Sequence, residues 1–237
     1  MFNLFSKNLR SVGLDIKPGY IRFVEVVRSA TEDHIHSYGE VIPEEVVIEK
    51  GNIVNEARLV TYLRDIKKNL KSHHVLVSIP DGANSRVYHD TLRKAGIKVR
   101  DFVSVSVALE RSLVPKGSEM SFIVVDAEAD AVNFIVYSPL EKTLSYVGDP
   151  ANHSVISNLN RIYIDWYDIH KEKIHYILFS GSRVMNPEFL DYVSRETKLE
   201  LKRGNVLVNL SLSADKVPIL PRDDSYKYAV AIGLALG

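Results

Sequence analysis

The sequence predicts an α/β fold made of two similar units, each a mixed sheet with helices packed on it. Three observations carry this. Runs rich in Val, Ile, Phe and Tyr, bounded by Gly, Pro, Asp or Asn, recur along the chain and read as strands. Segments with apolar residues at three-to-four spacing lie between them and read as amphipathic helices. One strand–turn–strand pattern occurs twice, and an internal repeat decides how the rest of a chain is parsed.

The elements follow in order. Val12–Ile16 and Tyr20–Val27 form a hairpin around Pro18 and Gly19, and His34–Val41 is a third strand. Asn55–Asn69 is a helix, with Ala57, Leu59, Val60, Leu63 and Ile66 on one face. Its end, Asp65–Lys71, carries cations that suit a solvated helix C-terminus. Val75–Ile79 is a strand and Val103–Leu113 a helix. The pattern then restarts with strands Phe122–Val125, Val132–Tyr137 and Thr143–Val147, helix Val155–Tyr167 and strand His175–Phe179. Helix Glu188–Glu196, strand Val206–Leu210 and helix Tyr226–Leu236 complete the chain. Strand runs alternating with helices give a mixed sheet.

Composition excludes several function classes. With 30 basic and 30 acidic residues, the formal charge is zero, which gives no electrostatic footprint for nucleic acid or an anionic membrane. There is no cysteine, so disulfides and thiolate metal sites are excluded, and a cytosolic setting is favoured. No apolar run approaches the roughly 18 residues of a membrane span. The opening MFNLFSKNLR has its apolar residues interrupted and lacks the core of a signal peptide. It reads as a frayed terminus tucked on the fold rather than as a membrane-surface helix. The histidine pairs His34/His36 and His73/His74 match no metal-site spacing.

The repeat aligns VGLDIKPGYIRFVEV (12–26) with IVVDAEADAVNFIVY (123–137). With Asp15 placed on Asp126, Leu14 meets Val125, Ile21 meets Val132, Phe23 meets Phe134 and Val24 meets Ile135. Each copy is an apolar strand, an aspartate, a tight turn and an apolar strand. The chain divides near Pro115–Ser118 into residues 1–117 and 118–237.

Six segments in order carry a resemblance to the type IV pilus assembly protein PilM family, relatives of FtsA in the actin-like ATPase superfamily. VGLDIKPGYIRFVEV resembles that family's opening hairpin. VLVSIPDGANSRVY (75–88) is similar to its strand ending in Ile-Pro and its return strand. RKAGIKVRDFVSVSVALERSL (93–113) is similar to its Ala-Gly turn and helix. IVVDAEADAVNFIVY resembles the second phosphate hairpin. Residues 155–185 resemble the helix, strand and Gly-rich turn that meet adenosine. YAVAIGLALG (228–237) resembles its C-terminal helix. The resemblance implies two actin-like (ribonuclease H-like) units with mixed five-stranded sheets flanked by helices. It further implies a shortened member, lacking the subdomain inserted into the first unit and much of the lobe that closes over the base.

The resemblance also implies a nucleotide site, ATP with Mg²⁺. Asp15 and Asp126 stand where carboxylates would hold hydrated metal. The first hairpin has Lys17 where the family has glycine, and Gly19 is displaced behind Pro18, which has no N–H. The second hairpin has Glu128 at the matching place, with Asp130 near it, so carboxylates crowd where phosphates would sit. Gly181, Ser182 and Arg183 stand at the adenosine-side turn, with Arg183 able to meet a phosphate or the acidic turn. No catalytic residue is expected, because the family's acidic helix start falls here near Ser104. The expectation is therefore a pseudo-ATPase with nucleotide binding weakened or lost. Its implied role is a cytoplasmic scaffold, peripheral at the inner membrane, that holds the cytoplasmic tail of a PilN-like single-span protein. Residues 75–88 and helix Asn55–Asn69 are the first choice of docking surface. The alternatives are an ATP-binding actin-like ATPase or sugar-kinase-like enzyme, and a type II secretion module. The last is set aside because that family continues into a membrane helix whereas this sequence stops at Gly237.

Overall fold

The computed structural model describes residues 9–29, 32–140, 144–212 and 219–237. The opening segment 1–8 lies outside the described residues, as does Thr143. Contacts divide the chain into two units. The first is Met1–Arg111 with Leu210–Pro221 and Val230–Gly237; the second is Ser112–Asn209 with Arg222–Ala229.

The first unit contains β1 (Leu9–Lys17), β2 (Tyr20–Arg28), β3 (Asp33–Val41), a small pair β4 (Ile48–Glu49) and β5 (Asn52–Ile53), α1 (Glu56–Asn69), β6 (Val75–Ser78), α2 (Ser85–Lys94), β7 (Val99–Phe102) and most of α3 (Val105–Leu113). Its sheet order is β3-β2-β1-β6-β7. β2 and β3 run antiparallel to their neighbours, whereas β1, β6 and β7 are mutually parallel. Side chains alternate across a strand, so Val12, Leu14, Ile16, Ile21 and Phe23 line one face. They form a core with Leu59, Val60, Leu63 and Ile66 of α1 and Tyr88 and Leu92 of α2. Asn55 caps α1 by accepting the Arg58 N–H, and Asn84 caps α2 by accepting that of Arg86.

The second unit contains β8 (Phe122–Ala127), β9 (Val132–Tyr137), β10 (Leu144–Gly148), α4 (Asn152–His170), β11 (Tyr176–Ser180), a 3₁₀ turn Ser182–Met185, α5 (Pro187–Glu196), β12 (Glu200–Arg203), α6 (Arg222–Ser225) and a 3₁₀ turn Tyr226–Tyr228. Its order, β10-β9-β8-β11-β12, repeats the first sheet position for position. Its core joins Ile123, Val125, Phe134 and Val136 to Leu159, Ile162 and Trp166 of α4 and to Phe189 and Val193 of α5.

The last helix, α7 (Ala229–Ala235), explains two glycines, Gly13 of the first hairpin and Gly233 of the helix itself. Gly13 faces α7 from β1, and a Cβ there would lie 1.8 Å from the Ala231 carbonyl oxygen. Gly233 faces α3, and a Cβ there would lie 1.7 Å from the Ala108 carbonyl oxygen. Both glycines are set by backbone-to-backbone packing within the first unit.

Two sequence expectations are corrected, and two strands escaped the sequence reading. The segment after Ile79-Pro80 is α2, not a return strand. The apolar run 206–210 is a buried turn, in which Asn205 accepts the Leu207 N–H and Asn209 donates to the Val114 carbonyl. The fifth strand of that sheet is instead β12, Glu-Leu-Lys-Arg, whose charges hid it. β7, Val-Arg-Asp-Phe, was hidden the same way.

Candidate functional site

The two-residue turn Pro18-Gly19 sets the register of the first hairpin, with Lys17 opposite Tyr20 and Asp15 opposite Arg22. Asp15 also pairs with Ser78 of parallel β6, and Arg22 with Glu40 of β3. Laterally paired residues share a face, so Ser78, Asp15, Arg22 and Glu40 form one row across four strands. Ser78, Asp15 and Arg22 are buried. Arg22 holds the Glu40 carboxylate at 2.6 Å and lies over the Tyr20 ring at 3.6 Å. Sequence reading missed Arg22, although counting back from a two-residue turn finds it.

The second unit places a matching row in its sheet: Ser180 on β11, Asp126 on β8, Asn133 on β9 and Val147 on β10. Ser180 Oγ donates to Asp126 Oδ1 at 2.8 Å, and Asn133 Nδ2 donates to Oδ2 at 3.5 Å. The repeat read from the sequence therefore extends to the polar row that crosses each sheet.

The remaining predicted residues fall as follows. Lys17 ends β1 and is half-buried. Gly19 is exposed, does not adopt positive φ, and has open space where its Cβ would be, so nothing in the turn demands glycine. Glu128 is buried; its N–H closes the hairpin on the Ala131 carbonyl at 3.0 Å, and its carboxylate accepts from Ser182 Oγ at 2.6 Å. Asp130 is exposed. Gly181 has φ 89°, and a Cβ there would lie 2.4 Å from the Ala127 carbonyl oxygen. Its N–H donates to the Tyr226 carbonyl at 3.0 Å. Arg183 meets neither a phosphate loop nor the acidic turn. Its guanidinium donates to the Pro150 carbonyl and to Asn152 Oδ1 ahead of α4 and stacks 3.8 Å from the Phe189 ring, and burial lowers its pKa.

The turn after β11 is thus stitched to the tip of the β8–β9 hairpin by Ser180–Asp126, Ser182–Glu128 and the Gly181–Ala127 approach. Anion cradles need free N–H groups and cationic or neutral walls. Here the Glu128 and Gly181 N–H groups are spent on carbonyls, and two buried carboxylates face the turn. Among the described residues no three His, Asp or Glu side chains are placed to hold a metal.

This geometry can be set beside known proteins. A chain of a PilM–PilN type IV pilus biogenesis complex superposes with TM-score 0.78 at 11% identity, over 97% of this chain and 98% of that one. The ethanolamine utilization protein EutJ from Carboxydothermus hydrogenoformans gives 0.66 at 16%, over 98% and 92%. The activator of the 2-hydroxyisocaproyl-CoA dehydratase from Clostridium difficile, with bound ADPNP, gives 0.55 at 12%, over 96% and 93%. The chain has the actin-like fold. No family model and no curated protein matches the sequence.

An actin-like fold implies a nucleotide with a divalent ion. The second-unit hairpin does not fit one, for the reasons given by its spent N–H groups and buried carboxylates. The first-unit hairpin retains Asp15 and Arg22 but offers a turn with one N–H removed by Pro18. No reaction step is derived through that group.

Proposed function

We propose that this chain is a cytoplasmic, non-catalytic scaffold of a type IV pilus or related assembly platform, peripheral at the inner face of the membrane. It holds the cytoplasmic tail of a PilN-like single-span membrane protein. The observation that carries this reading is the closed polar zipper of the second unit, where Ser180 donates to Asp126, Ser182 donates to Glu128 and the Gly181 N–H is spent on the Tyr226 carbonyl. Asp15, Lys17 and Gly19 mark the matching hairpin of the first unit. The actin-like fold, shared with a chain of a PilM–PilN complex, supports the choice of partner. Fold alone assigns no function. Among the described residues no helix is long and apolar enough to cross a membrane. For the docking surface we keep the α1 side of the first unit together with residues 75–88, now including the start of α2.

The test is calorimetric titration with a synthetic peptide of the cytoplasmic tail encoded by a neighbouring gene for a single-span protein. Saturable one-to-one binding supports the scaffold; no heat from any such tail overturns it. A second reading, a Mg-nucleotide binder, is favoured by the equivalent buried positions of Asp15 and Asp126 in two repeated rows.

A further inference from the structure

A cleft of about 220 Å³ opens within the second unit between α5 and the edge strand β12. That is smaller than the roughly 300–1,000 Å³ of sites for drug-sized ligands, so its occupant is small. Phe179 at the end of β11 is buried, and Leu190 of α5 and Leu201 of β12 are half-buried; together they form an apolar floor. Asp191 and Ser194 are exposed and lie three apart on α5, neighbours on its surface, so they form one rim. Arg203 forms the other. Strand side chains alternate between faces, and Leu201 packs on the core that α5 covers. Arg203 therefore lies on that face, and Glu200 and Lys202 lie on the opposite one. Lys202 also borders the cleft, but its ammonium pairs with Glu200 at 3.2 Å and sits 4.2 Å from the Tyr176 ring. Arg195, one turn on from Asp191, donates to the Asp191 carbonyl at 3.4 Å and not to the carboxylate. Among the described residues, the Asp191 carboxylate, the Ser194 hydroxyl and the Arg203 guanidinium have no partner, not even one another.

We propose that this cleft binds a free apolar α-amino acid, of the size of leucine or methionine. Complementarity of charge and size selects it. An apolar floor between an anionic and a cationic rim suits a small molecule with an apolar tail and opposite charges at its head. Asp191 takes the ammonium, Arg203 takes the carboxylate with its forked donors, and the Ser194 hydroxyl serves either as donor or as acceptor. The side chain covers Phe179, Leu190 and Leu201. An uncharged apolar molecule would leave both rims unanswered. A simple anion or cation would meet a rim of its own sign and gain nothing from the floor. An internal residue of a peptide carries neither head charge. The site uses no residue of the two aspartate hairpins.

Isothermal titration of the full chain with L-leucine tests this, beside leucinamide, which lacks the carboxylate, and N-acetylleucine, which lacks the ammonium. L-Leucine should bind saturably at millimolar concentration or below, and each blocked form about tenfold more weakly or worse. Arg203→Gln should weaken leucine by a similar factor and remove its advantage over leucinamide. Asp191→Asn should do the same against N-acetylleucine. Both positions are exposed, so both variants should keep the parent's melting temperature. No saturable heat from L-leucine, L-methionine or L-phenylalanine up to about ten millimolar overturns the proposal. Equal binding of leucine and its blocked forms also overturns it, since it would leave only an apolar hole. So does leucine binding that neither substitution weakens. These outcomes are independent of whether a membrane partner's tail binds the chain.

Discussion

Ser180 Oγ donates to Asp126 Oδ1 at 2.8 Å, and the two residues are direct partners in the parallel β8–β11 ladder. Both are buried. The hydroxyl therefore serves as a fixed internal partner of the carboxylate that the sequence marks as a ligand position. Ser180→Ala should destabilise the chain by about 1–3 kcal/mol, read from urea denaturation midpoints at constant slope. A loss within error would mean the bond contributes nothing.

Gly181 gives the sharper contrast between a cradle and a stitch. With φ 89° and the Ala127 carbonyl oxygen 2.4 Å from a built Cβ, Gly181→Ala combines left-handed strain of about 1–3 kcal/mol with a backbone clash. The melting temperature should fall by several degrees without any ligand present. An unchanged melting temperature would mean the turn opens freely.

Gly13 packs β1 on α7, and Gly233 packs α7 on α3. Gly13→Ala should cost at least the ~1–3 kcal/mol of an overpacked core, because the obstacle is the Ala231 carbonyl oxygen and not a movable side-chain tip. Limited proteolysis should then release the C-terminal segment earlier than in the parent protein.

Arg183 is half-buried against Phe189 and bonded to the Pro150 carbonyl and Asn152. Arg183→Lys cannot reproduce that fork and should lower thermal stability by about 1–2 kcal/mol. Added phosphate should stabilise neither protein. Phosphate-dependent stabilisation of the parent alone would restore the anion-binding reading of this residue.

His36 sits at the irregularity between β2 and β3, since Glu25 pairs with Ser37 and Val26 with Ile35. Burial lowers its pKa from 6.5; Arg10, Lys71 and His34 lower it further, and Glu25 opposes them. The fold thus favours the neutral ring, and the unfolded chain takes up the proton first as pH falls. The stabilising contribution is complete above the unfolded value and is lost as pH drops through about 6.5 towards the lower folded value. Melting temperatures across that interval should decline less steeply for His36→Gln than for the parent.

Much of the fold was legible because the repeat is a pattern of buried strands, and burial writes itself in apolar alternation. β7 and β12 were not legible, because exposed edges are charged and break the pattern that reveals a strand. The 206–210 run misled for the opposite reason: Val206 and Leu210 are buried by a turn that Asn205 and Asn209 hold. Tertiary packing there overrides strand propensity. At the site, the aspartates and Gly181 could be placed from sequence, but their partners could not. That Ser182 serves Glu128, that the Gly181 N–H is spent on Tyr226, and that Arg183 turns towards α4 are facts of register and backbone direction. No motif spells them out.

The central claim is that the second-unit hairpin is internally satisfied, from which we infer that this chain no longer receives a nucleotide. Isothermal titration of the full chain with Mg-ATP tests it most directly. The account predicts no saturable heat up to millimolar nucleotide. Saturable micromolar binding that Asp15→Ala abolishes would contradict it.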